Sequence, residues 1–537
     1  MKRIVSLLLA LAVVLAMCSL PAMAEEPSLR TIRILSPENE NQYIKISDRE
    51  EYPIWQILTD KLAERNIRLE LECVPHDQYK VTIQTRLASG NDLPDIVGIT
   101  EIDNASALNL AQQGVLLPIN EILLDSTKAW LNANAPFMLK LSKASDGNNY
   151  WYTNIMYGDL NPVGSPRSVQ YRVDWLEKLG LQAPTTAEEF IAMCRAFREN
   201  DVNGDGQANE VVYFNPARFL NGVAQWFGLG SDYTFIDPVT QKVTSPWYQP
   251  GIKDYIQYMR GLVDEGIMDV SLIGSSERLN QTKAENRLIA LATYASAAWN
   301  DANAGDENAF YGPILPLRST EAAEPILAVE AGTLSWYKWG VTNQCTDTSA
   351  VADLLDFVYS DEYMLLCAFG IVGDTYDVID GKPVLRTDMS TSYSEENAAK
   401  RRSNGAFLWG GAILPNLRWN VYSDIFGIME KNIANPETVN AYKLEFKLPV
   451  LKEMYTWPAY VFDDNSNFYA QPDETILEEK LMLTTDLSTY SSETLTALIL
   501  GERSMDEWDD VISELKALGL DRLIEINQEL YDRYMAD

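Results

Sequence analysis

The chain predicts an α/β fold built on a parallel sheet with helices on its faces. Two observations carry that prediction: strand and helix patterns alternate through the first hundred residues, and the chain is long and apolar enough for large cores. Thr31-Ile32-Arg33-Ile34-Leu35 alternates apolar and polar residues up to Ser36-Pro37 and reads as a strand. Ile54, Ile57, Leu58 and Leu62 recur at helical spacing. Ile67 to Val74 alternates again, Tyr79 to Ala88 reads as a helix, and Gly90 leads into a short buried strand, Pro94 to Ile99. Strand, helix, strand, helix, strand implies parallel pairing, because each helix carries the chain back across the sheet. The 537 residues, 46% of them hydrophobic and 10% aromatic, exceed what one core holds.

Further elements follow. Thr186 with Glu189 three residues on, after Pro184, signals a capped helix over 186–198. Trp508 to Tyr534 reads as helix, with Leu523, Ile526 and Leu530 as its buried stripe. The Ser/Thr/Glu-rich stretches near 389–400 and 484–496 read as surface loops, and no repeat or low-complexity tract is visible.

The first residues carry an export signal. Lys2 and Arg3 precede an apolar run, Ile4 to Ala16, and Ala22-Met23-Ala24 offers a small-x-small cleavage site before Glu25, giving a 1–24 signal peptide. The run falls short of the ~20 residues of a membrane span. Free secretion is favoured over a lipid anchor at Cys18, because Met17 stands where a lipoprotein signal carries a small residue. Without residues 1–24 the chain loses Lys2 and Arg3. It then holds 41 basic and 77 acidic residues, a charge of −36, which argues against nucleic acid and other polyanions. Cys73, Cys194, Cys345 and Cys367 match no zinc spacing, and free buried thiols are favoured over a disulfide.

Asp201, Asn203 and Asp205 alternate, Gly206 permits a sharp turn, and the Gln207 carbonyl, Asn209 and Glu210 complete an arc. About six or seven oxygens suit Ca²⁺ better than Mg²⁺. The pattern departs from an EF-hand, whose twelfth position holds a bidentate Glu; here that is Val212, and Glu210 must stand in. A plain polar turn is the rival reading.

Several segments together resemble the extracellular solute-binding proteins of family 1, the receptors of carbohydrate-type ABC importers. They are Leu87 to Val97 (LASGNDLPDIV), Arg172 to Gly180 (RVDWLEKLG) with Pro184-Thr185-Thr186, Val263 to Asp269 (VDEGIMD), Leu355 to Glu362 (LDFVYSDE) and Leu520 to Tyr534. The resemblance implies a two-lobed periplasmic-binding-protein-like fold of type II, with ligand in a cleft between lobes joined by a multi-crossing hinge. The expected lobes are 27–154 plus about 329–380, and 155–328 plus about 381–537, with crossings near Asn154, Ala328 and Asp380. It also implies an oligosaccharide ligand, ABC permease subunits as partners, a monomer and no catalysis. The shortened loop at Asp201 is similar to the calcium loop of the alginate-binding branch, which implies a structural Ca²⁺.

Sugars offer C–H faces to aromatic planes and hydroxyls to polar groups. With 13 Trp and 27 Tyr the chain is well supplied. Trp299, Trp419, Trp226, Tyr150 and Trp151 are the aromatic candidates, and Trp299 resembles the family's stacking tryptophan. Arg172 and Arg418 are candidate hydroxyl donors, while Asp95 and Glu101 flank the 94–99 strand, near whose carboxyl end an α/β sheet binds ligands. For any single tryptophan core packing is the competing role, and for either arginine a salt bridge. A secreted carbohydrate-active enzyme is the rival class, since glycoside hydrolysis needs only two carboxylates. No Gly-x-Ser-x-Gly, His-Glu-x-x-His or phosphate loop is present, and His76 is the single histidine. A peptide or sensor receptor on the same fold is a third reading.

Overall fold

The structure, a computed structural model, describes residues 29–38, 46–157, 163–217, 219, 222–230, 233–295, 304–319, 324–331, 334–379, 381–385, 417–419, 430, 441–462 and 473–536. The signal region, Trp299 and the 389–400 stretch lie outside them.

The strands in chain order are β1 (Arg30–Glu38), β2 (Ile67–Pro75), β3 (Ile96–Gly98), β4 (Tyr152–Tyr157), β5 (Val163–Arg172), β6 (Val211–Tyr213), β7 (Phe235–Ile236), β8 (Val243–Thr244), β9 (Leu288–Tyr294), β10 (Tyr311–Pro313), β11 (Leu327–Ala331), β12 (Leu334–Val341), β13 (Tyr376–Ile379), β14 (Lys382–Leu385), β15 (Leu417–Trp419) and β16 (Ala459–Phe462). They form two large mixed sheets, ordered β15-β4-β12-β3-β1-β2 and β16-β11-β5-β9-β6, with β10 also on β5; β7–β8 and β13–β14 are hairpins. Each sheet lies between helices and has its own core, which makes the chain a two-lobed α/β protein.

The opening of the chain folds as its pattern dictates. β1 pairs in parallel with β2 and β3, and the helices Pro53–Glu64 and His76–Ser89 make the crossovers. Ile54, Leu58 and Leu62 bury one face of the first helix; Tyr79, Ile83 and Leu87 bury one face of the second. β1 runs past Ser36-Pro37, where the pattern suggested it would stop. β3 pairs only with Ile34 and Leu35, so beyond them β1 has a neighbour on one side alone. A proline is tolerated in such a place because its missing N–H interrupts no ladder there.

Two helical readings change at the C-terminus. The 484–496 stretch lies inside one helix, Glu474–Leu500, rather than in a loop. Its polar composition hides buried Leu487, Leu495, Leu498 and Ile499, while Thr485, Thr489 and Thr496 donate to the carbonyls of Leu481, Thr485 and Ser492 one turn back. The expected 508–534 helix is two, Trp508–Ala517 and Leu520–Ala536, broken at Gly519 with φ of 93°. These C-terminal helices pack mainly on the second sheet's core, yet Leu477 packs on the first lobe beside Tyr79 and Val97. Tyr534 also reaches the first lobe, where the Lys140 ammonium sits 4.2 Å from its ring centre. No described helix is long and apolar enough to cross a membrane.

Candidate functional site

Strand direction decides where the two sheets meet. In the first sheet β1, β2, β3, β4 and β15 run the same way, and β12 runs against them. Their carboxyl ends therefore share an edge with the start of β12 at Leu334. In the second sheet β11 and β9 run against β5, while β16 follows β11 and β6 follows β9. The start of β5 at Val163 thus shares an edge with the ends of β9 and β11. The chain steps from Ala331 at the end of β11 to Leu334 at the start of β12. Three steps of extended chain span at most roughly 10 Å, so these two edges face each other. The chain also passes between them from Tyr157 to Val163, and again after Trp419.

The nominated ligand residues scatter relative to this edge. Trp419 and Arg418 pair through their backbones with Tyr157 and Met156, at the edge itself. Glu101 follows β3 on the same side and is half-buried. Trp299 lies beyond the described residues, five positions after the last residue of β9. Asp95 stands before β3, at the other end, and accepts from the Arg33 backbone N–H at 2.8 Å. Tyr150 and Trp151 are buried in the first lobe's core beside Leu116 and Ala144, with the Tyr150 hydroxyl donating to Asp146.

Trp226 and Arg172 are also buried, in the second lobe. Trp226 is 1% exposed and packs edge-on against Phe190 at 5.2 Å and Tyr258 at 6.0 Å. Arg172 is 0% exposed at the far end of β5. Its guanidinium donates to Asp174 at 2.8 and 2.5 Å and to Asn286, lies 3.5 Å from Asp306, and stacks over Trp175 at 4.0 Å. That is a buried ion network, not the surface salt bridge weighed from the sequence.

Sequence reasoning missed two cations at the facing edges. Lys338 on β12 is level with the end of β3, and its ammonium donates to Asn104 Oδ1 at 2.7 Å and to the Ile102 carbonyl at 3.3 Å. Burial pushes this amine down to about 8, against the pull of Asp103. Arg167 on β5 holds its guanidinium 3.8 Å from the centre of the Tyr294 ring on β9. The sequence signal was weak: one cation inside the mostly apolar β12, and one of two arginines in the mixed β5.

The oxygen-rich loop joins the helix Ala187–Glu199 to β6. Thr186 caps the helix by accepting from the Glu189 N–H, while the Glu189 carboxylate accepts from the N–H and hydroxyl of Thr185. Asp201, Gly204 and Gly206 take positive φ of 45°, 77° and 82°, which curls the backbone inward. Gly206 N–H donates to Asp201 Oδ2, Asp205 N–H to Asn203 Oδ1, and Gln207 N–H to Asp205 Oδ1, at 2.8 to 3.1 Å. Asn209 donates its amide to Asp205, leaving its own oxygen buried without a partner. Asp201 Oδ1 and both oxygens of Glu210 are likewise buried and unpartnered. The backbone N–H groups of Asn203 and Glu210 approach Glu210 without completing a hydrogen bond, and burial, then the charges of Asp205 and Asp201, push its carboxyl up. Val212, at the EF-hand's twelfth position, is buried in β6 and points into the core. Among the described residues no three His, Cys, Asp or Glu side chains cluster as a metal site, so any ion here would depend on the Asn and backbone oxygens too. Lys178 donates to the Val202 carbonyl, Arg198 to that of Ala208 and Arg287 to that of Asn209, which holds the loop from three sides.

Cys73, Cys194, Cys345 and Cys367 form no disulfide among the described residues. Cys194 and Cys367 are buried, and burial pushes the thiols of Cys73 and Cys345 up to about 11 and about 12.

Comparison with known proteins agrees with this architecture. The fructooligosaccharide ABC transporter substrate-binding protein FusA of Streptococcus pneumoniae serotype 4 (strain ATCC BAA-334 / TIGR4) is 22% identical over 99% of this chain and 98% of its own length. The polygalacturonan/rhamnogalacturonan-binding protein YtcQ of Bacillus subtilis (strain 168) is 24% identical over 60% of this chain; the match spans 64% of that protein, just under two thirds. Among solved structures, an EF-hand mutant of S. pneumoniae FusA in complex with fructo-nystose superposes with a TM-score of 0.68, at 18% identity, over 94% of this chain and all of that one. The alginate-binding protein AlgQ2 without calcium ion gives 0.63 at 20% identity, over 94% of this chain and 98% of its own. The model of the bacterial extracellular solute-binding proteins matches residues 47–365, more than half of the sequence. The chain belongs to the bacterial extracellular solute-binding protein family.

Proposed function

We propose that this protein captures an oligosaccharide between its two lobes, outside the cell, and delivers it to the permease subunits of an ABC importer. The observation that carries this reading is the pair of facing sheet edges joined by repeated crossings. Such a hinge lets two lobes close on a ligand, and strand ends are where α/β sheets bind. The full-length likeness to a fructooligosaccharide-binding protein supplies the ligand class. The protein works as a monomer and does not turn its ligand over. It is exported by its 1–24 signal and acts as a secreted protein. Among the described residues the proposed lobes are 29–157 with 334–385 and 417–419, and 163–331 with 441–536, so β15 lies with the first lobe rather than in the 381–537 part expected of the second.

A structural Ca²⁺ completes the 201–210 loop in this reading. Asp201, Asn203, Asp205, the Gln207 carbonyl, Asn209 and Glu210 would hold it. The unpartnered oxygens of Asp201, Asn209 and Glu210 support the fit, since buried carboxylates demand a partner. The ion would supply the positive charge that lets Glu210 stay ionised while buried.

Intrinsic tryptophan fluorescence and calorimetry, with a panel of kestose, nystose, oligogalacturonates and peptides, test the function. Saturable binding of an oligosaccharide that is recovered intact is expected. Cleavage of the bound glycan would move the protein to the hydrolases, and binding of peptides alone would make it a peptide receptor.

A further inference from the structure

We propose that the stacked pair Arg167–Tyr294 is a ligand contact of the second lobe, and that it takes vicinal hydroxyls of a neutral oligosaccharide rather than uronate carboxylates. This inference rests on the oligosaccharide-binding reading and deepens it. Arg167 and Tyr294 are register partners on β5 and β9, at the edge that faces the first sheet. At the next positions on the same face Val169 is buried and Ala292 half-buried beneath Gly222, where a Cβ would stand 3.2 Å from Val169 and 3.1 Å from Ala292. Val169, Tyr171 and Ala290 continue into the core. Arg167 and Tyr294 are half-buried too, so the face opens from Ala292 toward this pair at the sheet edge.

The pair combines what a sugar contact needs. A tyrosine ring offers a flat apolar surface to sugar C–H groups. A guanidinium held over that ring is pre-aligned, and its fixed fork of N–H donors matches two adjacent oxygens. Both carboxylates and vicinal hydroxyls fit such a fork, and charge separates them. The chain carries a net −34, and Glu38 and Glu101 stand on the edge of the first sheet. A uronate would meet repulsion from both the overall field and those carboxylates, whereas hydroxyls can donate to them.

Calorimetric titration of the full-length mature protein with nystose and with trigalacturonate, on wild type and on Tyr294→Ala, Tyr294→Phe and Arg167→Lys, tests this. Tyr294→Ala and Arg167→Lys are expected to weaken nystose binding about tenfold, as loss of one stacked or bidentate contact does. Tyr294→Phe is expected to recover most of the Tyr294→Ala loss, which a general disturbance of the fold would not do; melting temperatures check that each variant is folded. Nystose affinity within twofold of wild type in both Tyr294→Ala and Arg167→Lys overturns the inference alone. So does wild-type preference for trigalacturonate. If wild type binds no oligosaccharide, this inference and the function proposed above fall together.

Discussion

Replacing Glu210 by Gln separates a metal loop from a polar turn by the sign of two melting shifts. Glu210 is 0% exposed and neither carboxylate oxygen has a hydrogen-bond partner. A buried, unpartnered charged group costs about 1–3 kcal/mol or more. An ion that binds only the folded chain stabilises it by about 2.7 kcal/mol at a hundredfold excess over Kd. For a lobe of a few hundred residues that raises Tm by about 5–10 °C. In wild type, calcium should therefore produce a shift of that size in scanning calorimetry, and a chelator should reverse it. In Glu210→Gln the calcium shift should fall to about 2 °C or less, because a neutral amide cannot stand in for a bidentate carboxylate. In chelator the order inverts: the variant should melt above wild type, since the uncompensated carboxylate is gone. Identical melting of wild type with calcium and with chelator would falsify the metal reading; an unchanged calcium shift in Glu210→Gln would remove this residue from it.

The Lys338 amine is pushed down to about 8 by burial, below the ~10.4 of an exposed lysine. The unfolded chain then binds more protons between those values, so this site's penalty is full below pH 8 and eases as pH climbs toward 10.4. The Tm difference between wild type and Lys338→Met should rise in favour of wild type across that window; a flat difference contradicts it. Arg172→Met should lower stability by about 3–5 kcal/mol in urea titration, because Asp174 and Asp306 lose their buried partner. A loss under about 1 kcal/mol would mean the network is not sustained in solution. Leu477→Ala with Tyr534→Ala should broaden inter-lobe distances between spin labels in the sugar-free protein, since both side chains bind second-lobe helices to the first lobe. An unchanged distribution refutes a bracing role.

Local patterns were readable and long-range packing was not. β1, β2 and the two helices between the first three strands show their period directly, because one face of each is buried. Thr186 and Glu189 announced a helix start, since a cap involves neighbouring residues only. Helix 474–500 was missed because its hydroxyls return to its own backbone, so a polar surface passed for a loop. Trp226 and Arg172 were nominated as ligand contacts against the competing roles of core packing and a salt bridge, and both face inward. Their surroundings come from Phe190, Tyr258, Asn286 and Asp306, which no short window contains. The loop oxygens were visible as residue types at alternate spacing, but the depth at which Glu210 sits is set by β6 and the residues around it. Arg167 and Tyr294 are 127 positions apart, and only the register of β5 against β9 brings them together.

The order in which the sheets are threaded governs how this protein can be made. Emerging from a ribosome, the first lobe lacks β12 and β15 until residue 419 has been synthesised, long after the second lobe has begun. The second lobe's core in turn waits for Leu487 to Leu523, near the end of the chain. Neither half can therefore finish as an independent folding unit during synthesis. If the chain is exported as proposed above, this topology would keep it from closing before its last helices have been made.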